Sequence, residues 1–329
     1  MTNILILSAG TRNKVVQAFK KTINGKGRIV ATDCSNLAPA VYEADEFYLV
    51  PRISEPGYID RILDICQREK ISGVFSLIDP ELSLLSKESE RFKAIGTTPV
   101  VSPYELVETC FDKYEFFKLM KSFGIPTGRC FITKEEFFKA RDNGEISYPV
   151  FVKPVRGSAS ININKVTSDE EINVLFNHYD DLMIQEYMAG QEYGADVYID
   201  MISGECTSIF IKKKIKMRAG ETDKSVSVKI QALFKTIAEF TKKAGFRGMI
   251  DIDIFHDEAK DIYYFSEVNP RFGGGYPHAY ACGVDMPAQL INNLEGVENP
   301  VNIGDYKEGI CMMKYNETAI MDFSGKEIV

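Results

Sequence analysis

Histidine and tryptophan are scarce in this sequence, which contains three histidines and no tryptophan. The histidines are His178, His256 and His278, and no two of them have the close spacing of metal ligands. The seven cysteines are scattered, odd in number and never arranged as Cys-x-x-Cys. This distribution argues against a disulfide framework and against a zinc site, and it favours reduced thiols in the cytoplasm.

The sequence also has no excess of positive charge and no long apolar run. Lysine and arginine number 39 against 47 acidic residues, a net charge of −8 that argues against general nucleic-acid binding. No window approaches the roughly 18 apolar residues of a membrane span. The segment Met1–Leu7 has neither the basic residues nor the long apolar run of a signal peptide. We therefore expect a soluble, cytoplasmic protein without nucleic-acid or membrane partners.

The composition is that of an ordinary globular protein, with 45% hydrophobic and 26% charged residues. In the first hundred residues, apolar runs at Asn3–Ser8, Arg28–Thr32 and Gly73–Ile78 alternate with helical patterns, which predicts an α/β domain with a parallel sheet. The turn Ala9–Arg12 lacks the GxGxxG pattern of a dinucleotide site. A Rossmann-like scaffold without a bound dinucleotide is therefore the favoured interpretation.

Two helix starts follow this region. Ser102 before Pro103 predicts a capped helix, and Asp112 followed by Glu115 resembles a second capping box. Lys113 then lies in the first turn, where the helix dipole disfavours a cation. An anion held nearby would offset this penalty, although a lysine that points into water explains it as well.

The next segments contain charged residues beside small ones. A predicted strand at Tyr148–Val155 includes Lys153 and leads into a loop of small residues, whose backbone N–H groups could surround phosphate oxygens; an ordinary hairpin turn is the alternative. Glu186 and Glu192 flank a glycine-containing turn between two strands. Their carboxylates could accept hydrogen bonds from an amine or from ribose hydroxyls, or they could be surface residues.

A basic segment, Ile211–Arg218, stands out against the acidic background. It could meet an anionic ligand or be a solvated strand or loop, and the sequence favours neither. Farther on, Lys229–Ala244 has apolar residues at helical spacing, which indicates a packing helix rather than a functional one.

The most informative pattern is a pair of predicted strands, Met249–His256 and Tyr263–Asn269. Alternation places Asp251, Asp253 and Phe255 on one face of the first strand, and Glu267 and Asn269 on one face of the second. An antiparallel pair can thus bring Asp253 opposite Glu267. Facing carboxylates destabilise a bare sheet, and Mg²⁺ bound by these oxygen-only ligands removes the conflict. Arg271 and the glycines at 273–275 follow, which suits phosphate at the mouth of a flexible loop.

From about Met1 to Ala288, these motifs resemble the ATP-grasp superfamily, within it the group with the carbamoyl-phosphate synthetase large chain, biotin carboxylase and the pyrrolysine-pathway ligase. The matching segments are Asp253, Glu267–Arg271 with the glycines after it, Phe151–Pro154 and Gln185–Glu192. The resemblance implies an α/β (α+β) ATP-grasp fold with an N-terminal Rossmann-like pre-ATP-grasp domain. The expected domains are residues 1–103, a lid subdomain with flanking helices at 104–190, and a C-terminal catalytic subdomain at 191–329.

The resemblance also implies residue roles. Lys113 and Lys153 would hold the ATP phosphates beneath a lid loop, Glu186–Met188 would meet adenine, Glu192 would take the ribose hydroxyls, and Phe255 would pack on the base. The implied nucleotide-binding residues are Lys113, Lys153, Arg156, Gly157, Ser158, Ser160, Glu186, Tyr187, Met188, Glu192 and Phe255. The implied metal ligands are Asp253, Glu267 and Asn269, for Mg²⁺ (commonly two ions, with Mn²⁺ able to substitute). The implied catalytic residues are Arg271, Arg218 and Lys153.

The implied activity is ATP-dependent ligation of a small-molecule carboxylate to an amine, through an acyl phosphate and with release of ADP. Alternatives are bicarbonate or carbamate phosphorylation, a non-catalytic ATP-binding module and, least favoured, a nicotinamide-dependent reductase. The lid has fewer glycines than that of biotin carboxylase, and the single synthetase-like unit argues against carbamoyl phosphate synthesis itself. Glu221 and Asp223 are candidates for the group that receives the amine's proton. A homodimer is compatible with the sequence.

Overall fold

The computed structural model of this protein describes residues 1–157 and 162–321. Ser158 and Ser160, both predicted to bind nucleotide, lie outside the described residues. Within these residues the strands form three sheets, which fall in the ranges 3–99, 130–186 and 191–313. Each sheet lies inside one of the three predicted domain ranges, whose boundaries remain a prediction.

The first sheet is parallel and has the strand order β3-β2-β1-β4-β5. Its strands are β1 (Asn3–Leu7), β2 (Ile29–Asp33), β3 (Glu46–Leu49), β4 (Ile71–Ser76) and β5 (Thr98–Pro99). Its helices are α1 (Asn13–Ile23), α2 (Tyr58–Arg68), α3 (Asp79–Lys87) and α4 (Ser89–Ala94), with a short 3-10 helix at Pro39–Glu43. The strand order reverses between β1 and β4, and ligands of open parallel sheets meet the chain at such a point. Arg12 and Asp79 follow these two strands.

The second sheet is antiparallel, with the order β6-β9-β7-β8. Its strands are β6 (Cys130–Phe131), β7 (Val150–Pro154), β8 (Asn164–Val166) and β9 (Leu182–Glu186). The helices of this region are α5 (Tyr104–Phe111), α6 (Lys113–Ser122), α7 (Lys134–Asp142) and α8 (Asp169–His178). Phe137 of α7 and Ile172 of α8 are fully buried against Val150, Val152 and Ile184 of the sheet. The α7 and α8 helices therefore cover one face of the sheet. On the other face, Tyr114 and Phe117 of α6 pack against Cys130 and Met183, and the remaining part is left for a ligand.

The two predicted helix caps in this region have different outcomes. The Asp112 carboxylate accepts hydrogen bonds from the backbone N–H groups of Tyr114 and Glu115, which confirms the cap of α6. Ser102 does not cap α5, because its hydroxyl instead donates to the Arg247 carbonyl at 3.1 Å. This tertiary contact has no counterpart in the local sequence, and that part of the prediction is wrong.

The third sheet is antiparallel, with the order β14-β13-β10-β11-β12-β15. Its strands are β10 (Gln191–Ile199), β11 (Cys206–Arg218), β12 (Glu221–Val228), β13 (Gly248–Asp257), β14 (Ile262–Asn269) and β15 (Cys311–Met313). Its helices are α9 (Gln231–Ala244), α10 (Tyr276–Ala281) and α11 (Met286–Leu294). The apolar stripe of α9 is buried, which confirms its predicted packing role. Glu192 lies near the start of β10, so it and Glu186 at the end of β9 flank the turn, as predicted.

One hydrophobic core joins the first and third sheets. The rings of Phe19 in α1, Phe75 in β4 and Phe272 after β14 lie 5.0–5.6 Å apart and are all buried. This aromatic cluster fixes the segment after β14 against the first sheet. Nowhere in 1–157 or 162–321 does a helix combine the length and apolarity that crossing a bilayer requires.

Candidate functional site

A cavity of about 460 Å³ is lined by residues from all three sheets. The first sheet contributes Arg12 and Asp79, the second Lys153 and Gln185, and the third several acidic residues and Lys214. This volume is within the range of small-molecule binding sites. Because charged groups from distant parts of the chain meet in this cavity, the cavity is the candidate site.

Strand β13 provides the floor of the cavity with Asp251, Asp253 and Phe255. Asp253 pairs with Glu267 and Asp251 pairs with Asn269 on β14, so the predicted juxtaposition of Asp253 and Glu267 is confirmed. At about 3.4 Å per residue, the row from Asp251 to Phe255 is about 14 Å long. The floor therefore has an acidic centre and an aromatic end.

The donor set at the centre fits a hard divalent cation. Burial raises the pKa of Glu267, and the charge of Asp253 raises it further, against the opposing effects of Lys153 and Lys113. Such a pair of carboxylates is stabilised by a cation, and the Asn269 amide supplies a third oxygen on the same face. Over the ranges 1–157 and 162–321 no group of three His, Cys, Asp or Glu side chains is arranged to hold a metal. The Asn269 oxygen is therefore needed to complete this set.

Lys214 is a site residue that sequence reasoning did not single out. Its Nζ lies 2.6 Å from Glu192 Oε1 and 2.6 Å from Asp253 Oδ1. Burial alone would lower the pKa of Lys214, but the Asp253 and Glu192 carboxylates outweigh it and raise the pKa. Burial is also the first cause of the raised pKa of Glu192, with Lys214 opposing it. An ammonium group thus neutralises the carboxylates at this point.

The basic segment is therefore strand β11, and its lysines lie in two environments, with an irregularity in the pairing between Lys214 and Lys216. Lys212 and Lys214 are buried, whereas Lys216 is exposed. Lys212 Nζ lies 2.5 Å from Asp196 Oδ2 and 3.8 Å from Asp251 Oδ1. The solvated interpretation is wrong for these two lysines. The spacing of two residues was the available signal, since it places Lys212 and Lys214 on one face.

The two lysines predicted to bind phosphates lie in different places. Lys153 on β7 is buried and lines the cavity. Lys113 begins α6, and its Nζ donates to the Gly157 carbonyl at 2.5 Å. Burial lowers the pKa of both lysines, and the charge of Glu267 opposes it in each case. Both ammonium groups therefore act electrostatically on the carboxylate centre.

The segment predicted to meet adenine is only partly in the cavity. Met188 and Phe255 line it, and so does Gln185. The Glu186 carboxylate instead accepts from the Arg129 N–H at 3.0 Å, and Tyr187 packs against Phe151 with its ring 5.3 Å away. Glu186 and Tyr187 are therefore not brought into the cavity. Successive strand residues alternate faces, so Gln185 takes the position expected for Glu186.

Two predicted arginines also lie outside the cavity lining. Arg156 is exposed and its Nη1 lies 2.9 Å from Glu108 Oε2, with Asp112 on its other side. Arg218 is half exposed, with its Nη2 2.8 Å from Asp223 Oδ1. Local carboxylates hold both side chains, and the predicted placement of Arg156 over the phosphates and of Arg218 at the substrate is not observed.

Arg271 lines the cavity as predicted, together with a partner that the sequence did not indicate. Its Nε lies 2.9 Å from Asp79 Oδ1, and its Nη2 donates to Asp79 Oδ2 at 3.0 Å. Burial would lower the pKa of Arg271, but Asp79 and Asp251 outweigh it and raise the pKa. The guanidinium is thus fixed in orientation and fully charged.

The glycines at 273–275 have a packing role. None of the three has a φ in the left-handed region. A methyl group at Gly273 would overlap the Asp251 carboxylate, one at Gly274 would overlap Arg12 and Glu221, and one at Gly275 would overlap Lys212. The close approach of charged side chains requires these glycines, so the predicted flexible loop is not their explanation. Glu221 lines the cavity beside them. The other candidate for proton transfer, Asp223, is buried against Arg218 outside it.

Comparison with known proteins agrees with this architecture. Residues 4–100 match the family model "PylC-like, N-terminal domain", and residues 178–318 match "ATP-grasp in the biosynthetic pathway with Ter operon". Among solved structures, the biotin carboxylase domain of Hydrogenobacter thermophilus 2-oxoglutarate carboxylase superposes with a TM-score of 0.73 at 18% identity, covering 94% of this chain and 73% of that one. Staphylococcus aureus N5-carboxyaminoimidazole synthetase, complexed with ADP, gives 0.74 at 16% identity, covering 97% and 82%.

Sequence relatives point the same way. The vancomycin B-type resistance protein VanB of Enterococcus faecalis is 31% identical over 230 residues, which is 62% of this chain and 66% of VanB. A D-alanine–D-alanine ligase of Caldicellulosiruptor bescii is 29% identical over 214 residues, which is 56% of this chain and 58% of that ligase. The chain thus spans less than two thirds of the length of these curated relatives. These matches support the resemblance to ATP-grasp proteins that the motifs predicted, although the motifs did not indicate the D-alanine ligases.

Proposed function

We propose that this protein is an ATP-dependent carboxylate–amine ligase that forms an amide through an acyl phosphate and releases ADP and phosphate. The observation on which the proposal rests is the facing pair Asp253 and Glu267, with Lys153 and Arg271 in the same cavity. Acidic metal ligands beside fixed cations suit transfer of a phosphoryl group, which depends on positioning and charge neutralisation. An ATP-requiring reaction and unpaired cysteines favour the cytoplasm as its location.

The nucleotide would lie along the row of side chains on β13. Phe255 and Met188 form an apolar end suited to the base, and Glu192 lies opposite Phe255 on β10, within reach of ribose hydroxyls. Lys153 would take the phosphates. Asp253, Glu267 and Asn269 would hold Mg²⁺, which when bound neutralises charge on the triphosphate.

In the first step, a carboxylate oxygen of the substrate attacks the γ-phosphorus of ATP, and the bond to the bridging oxygen of ADP breaks. Arg271, held by Asp79, is oriented to stabilise the charge on the phosphoryl oxygens and on the acyl phosphate. In the second step, the amine nitrogen attacks the acyl carbon and loses a proton, and phosphate leaves. The relatives named D-alanine–D-alanine ligase favour amino acids as substrates.

ADP release with pairs of amino acids, including D-alanine, tests this proposal. We expect ADP formation that requires both an acid and an amine. Glu267→Gln should lower it by more than about 100-fold, because metal charge contributes several kcal/mol to such transition states. Glu258→Gln, at an exposed position after β13, is the control. Two results would count against the ligase: ADP formation that depends on bicarbonate, and nucleotide binding without turnover. A Glu267→Gln variant with a normal rate of ADP formation and a normal circular dichroism spectrum would also count against it.

A further inference from the structure

Arg12 enters the cavity from the first sheet, where it follows β1. Its Nη1 lies 2.6 Å from Glu221 Oε1, at the tip of the β11–β12 hairpin. That nitrogen is buried, and its ion pair with Glu221 lacks hydrogen-bond geometry. A carboxylate in the cavity would accept from the guanidinium with better geometry. Arg12 therefore lines the cavity as a cation that Glu221 holds and a ligand can share.

The charges around Arg12 are balanced once Asp251 is counted, because Arg12, Arg271 and Lys314 then stand against Glu221, Asp79 and Asp251. Glu221 Oε2 also lies 2.7 Å from Lys314 Nζ, so its carboxylate is shared between two cations. Asp79 is likewise paired with Arg271. A site in which protein charges already cancel favours a ligand with both a positive and a negative group over a simple dianion.

Arg12 also has a defined place relative to the reacting centre. It meets Glu221 at Gly274, five residues after the proposed metal ligand Asn269 and three after Arg271. The charges of Arg271, Asp251 and Asp79 all act on Arg12, so these groups share one end of the cavity. Phe255 and Glu192 lie along β13 and β10 in the other direction from Asp253. The Arg12 end is thus the end left for the substrates of the ligation.

We propose that Arg12 binds the carboxylate of the amine substrate, beside Glu221, which faces its ammonium group, and that this substrate is accordingly an amino acid rather than ammonia or a simple amine. The inference rests on the proposed ligase function. Arg271 is already placed for the acyl phosphate, so a second guanidinium in the cavity serves the other substrate. A guanidinium supplies two parallel N–H donors for a carboxylate, and ammonia offers nothing for it to recognise.

Selectivity between matched amines tests the inference. Alanine and ethylamine differ only by the carboxylate, as do glycine and methylamine, and ADP release is measured with each as the amine. The wild-type protein should have a higher kcat/KM for the amino acid than for the matched amine. Arg12→Gln should reduce the ratio of these two values by at least about tenfold, which is the scale of one charged hydrogen-bonded contact. Arg12→Lys should retain part of the preference. Arg28→Gln is the control, since Arg28 pairs with Glu46 and Glu69 outside the cavity.

The outcomes separate the inference from the proposed function. An unchanged ratio in Arg12→Gln, or a wild-type enzyme that uses ethylamine as well as alanine, overturns the role of Arg12 and leaves the ligase intact. Hydroxylamine in place of the amine reports acyl-phosphate formation alone. If the KM of Arg12→Gln for the acid rises tenfold in that assay, Arg12 binds the acid substrate instead, which also overturns the inference. Absence of ADP formation with every acid and amine would overturn both.

Discussion

Arg271 and Asp79 are 192 residues apart in the chain and form a two-pronged ion pair, with Nε–Oδ1 at 2.9 Å and Nη2–Oδ2 at 3.0 Å. Asp79 begins α3, which follows β4 of the first sheet, and Arg271 follows the last strand of the proposed metal site. The pair therefore connects the first sheet to the reacting end of the cavity. The Arg271 Nη1 also donates to the Phe272 carbonyl at 3.1 Å, which further restricts its orientation.

Asp79→Ala should weaken both stability and turnover. Removing one partner of a buried ion pair leaves an uncompensated charge, so we expect a loss of about 3 kcal/mol in the free energy of unfolding. The kcat for ADP formation should fall more than the KM for ATP rises, because Arg271 loses its orientation rather than its charge. Urea denaturation and steady-state kinetics measure these effects. Asp60→Ala, which removes the exposed partner of Arg91, is the control; equal kcat in the Asp79 and Asp60 variants would contradict the prediction.

Lys214→Met should make the protein depend on a divalent cation for stability. Without the ammonium group, Glu192 and Asp253 share a buried site with no compensating charge, so the variant should lose about 3 kcal/mol in metal-free buffer. Added Mg²⁺ should raise the Tm of the variant more than that of the wild type, because the ion replaces the missing positive charge. Thermal unfolding with and without MgCl₂ measures this. Lys216→Met, on the same strand but exposed, is the matched control, and a variant insensitive to Mg²⁺ would argue against the metal site.

His278 should make the protein sensitive to mild acid. The ring is buried between Ser225 Oγ at 2.8 Å and the Ile310 carbonyl at 2.9 Å, and burial lowers the pKa of His278 to about 4. A depressed pKa means that the unfolded chain binds the proton more readily. The stability from neutral His278 is therefore present above its ordinary pKa of about 6.5 and is lost as pH falls toward 4.

The loss of stability across that window should be roughly 3 kcal/mol, from about 1.36 kcal/mol per unit of pKa. His278→Gln keeps a donor for the Ile310 carbonyl and should remove much of this slope. Denaturant unfolding at pH 7, 6, 5 and 4 measures it, and the exposed His178→Gln is the reference. Parallel pH profiles for wild type and His278→Gln would show that His278 is not the group involved.

Local sequence patterns were sufficient to predict much of the centre of the site. Strict alternation defined the face of β13 that contains Asp253, and the short connection to β14 fixed the register that brings Glu267 opposite. The cap at Asp112 and the apolar stripe of α9 depend on residues within one or two turns and were predicted correctly. Gln185 lines the cavity and Glu186 does not, because which face of β9 meets the cavity depends on how the whole sheet packs.

The sequence by itself determined the ATP-grasp resemblance, the parallel and antiparallel units and the facing carboxylates, because each depends on residues close together in the chain or on motifs in a fixed order. The tertiary structure alone decided that Arg12 meets Glu221, that Asp79 holds Arg271 and that Lys214 neutralises Asp253. Arg12 and Asp79 reach the cavity because they follow the two strands at which the first sheet reverses its order. Position 274 must be glycine, because a side chain there would overlap Arg12 and Glu221. Such contacts arise from the packing of separate sheets, and no local pattern encodes them.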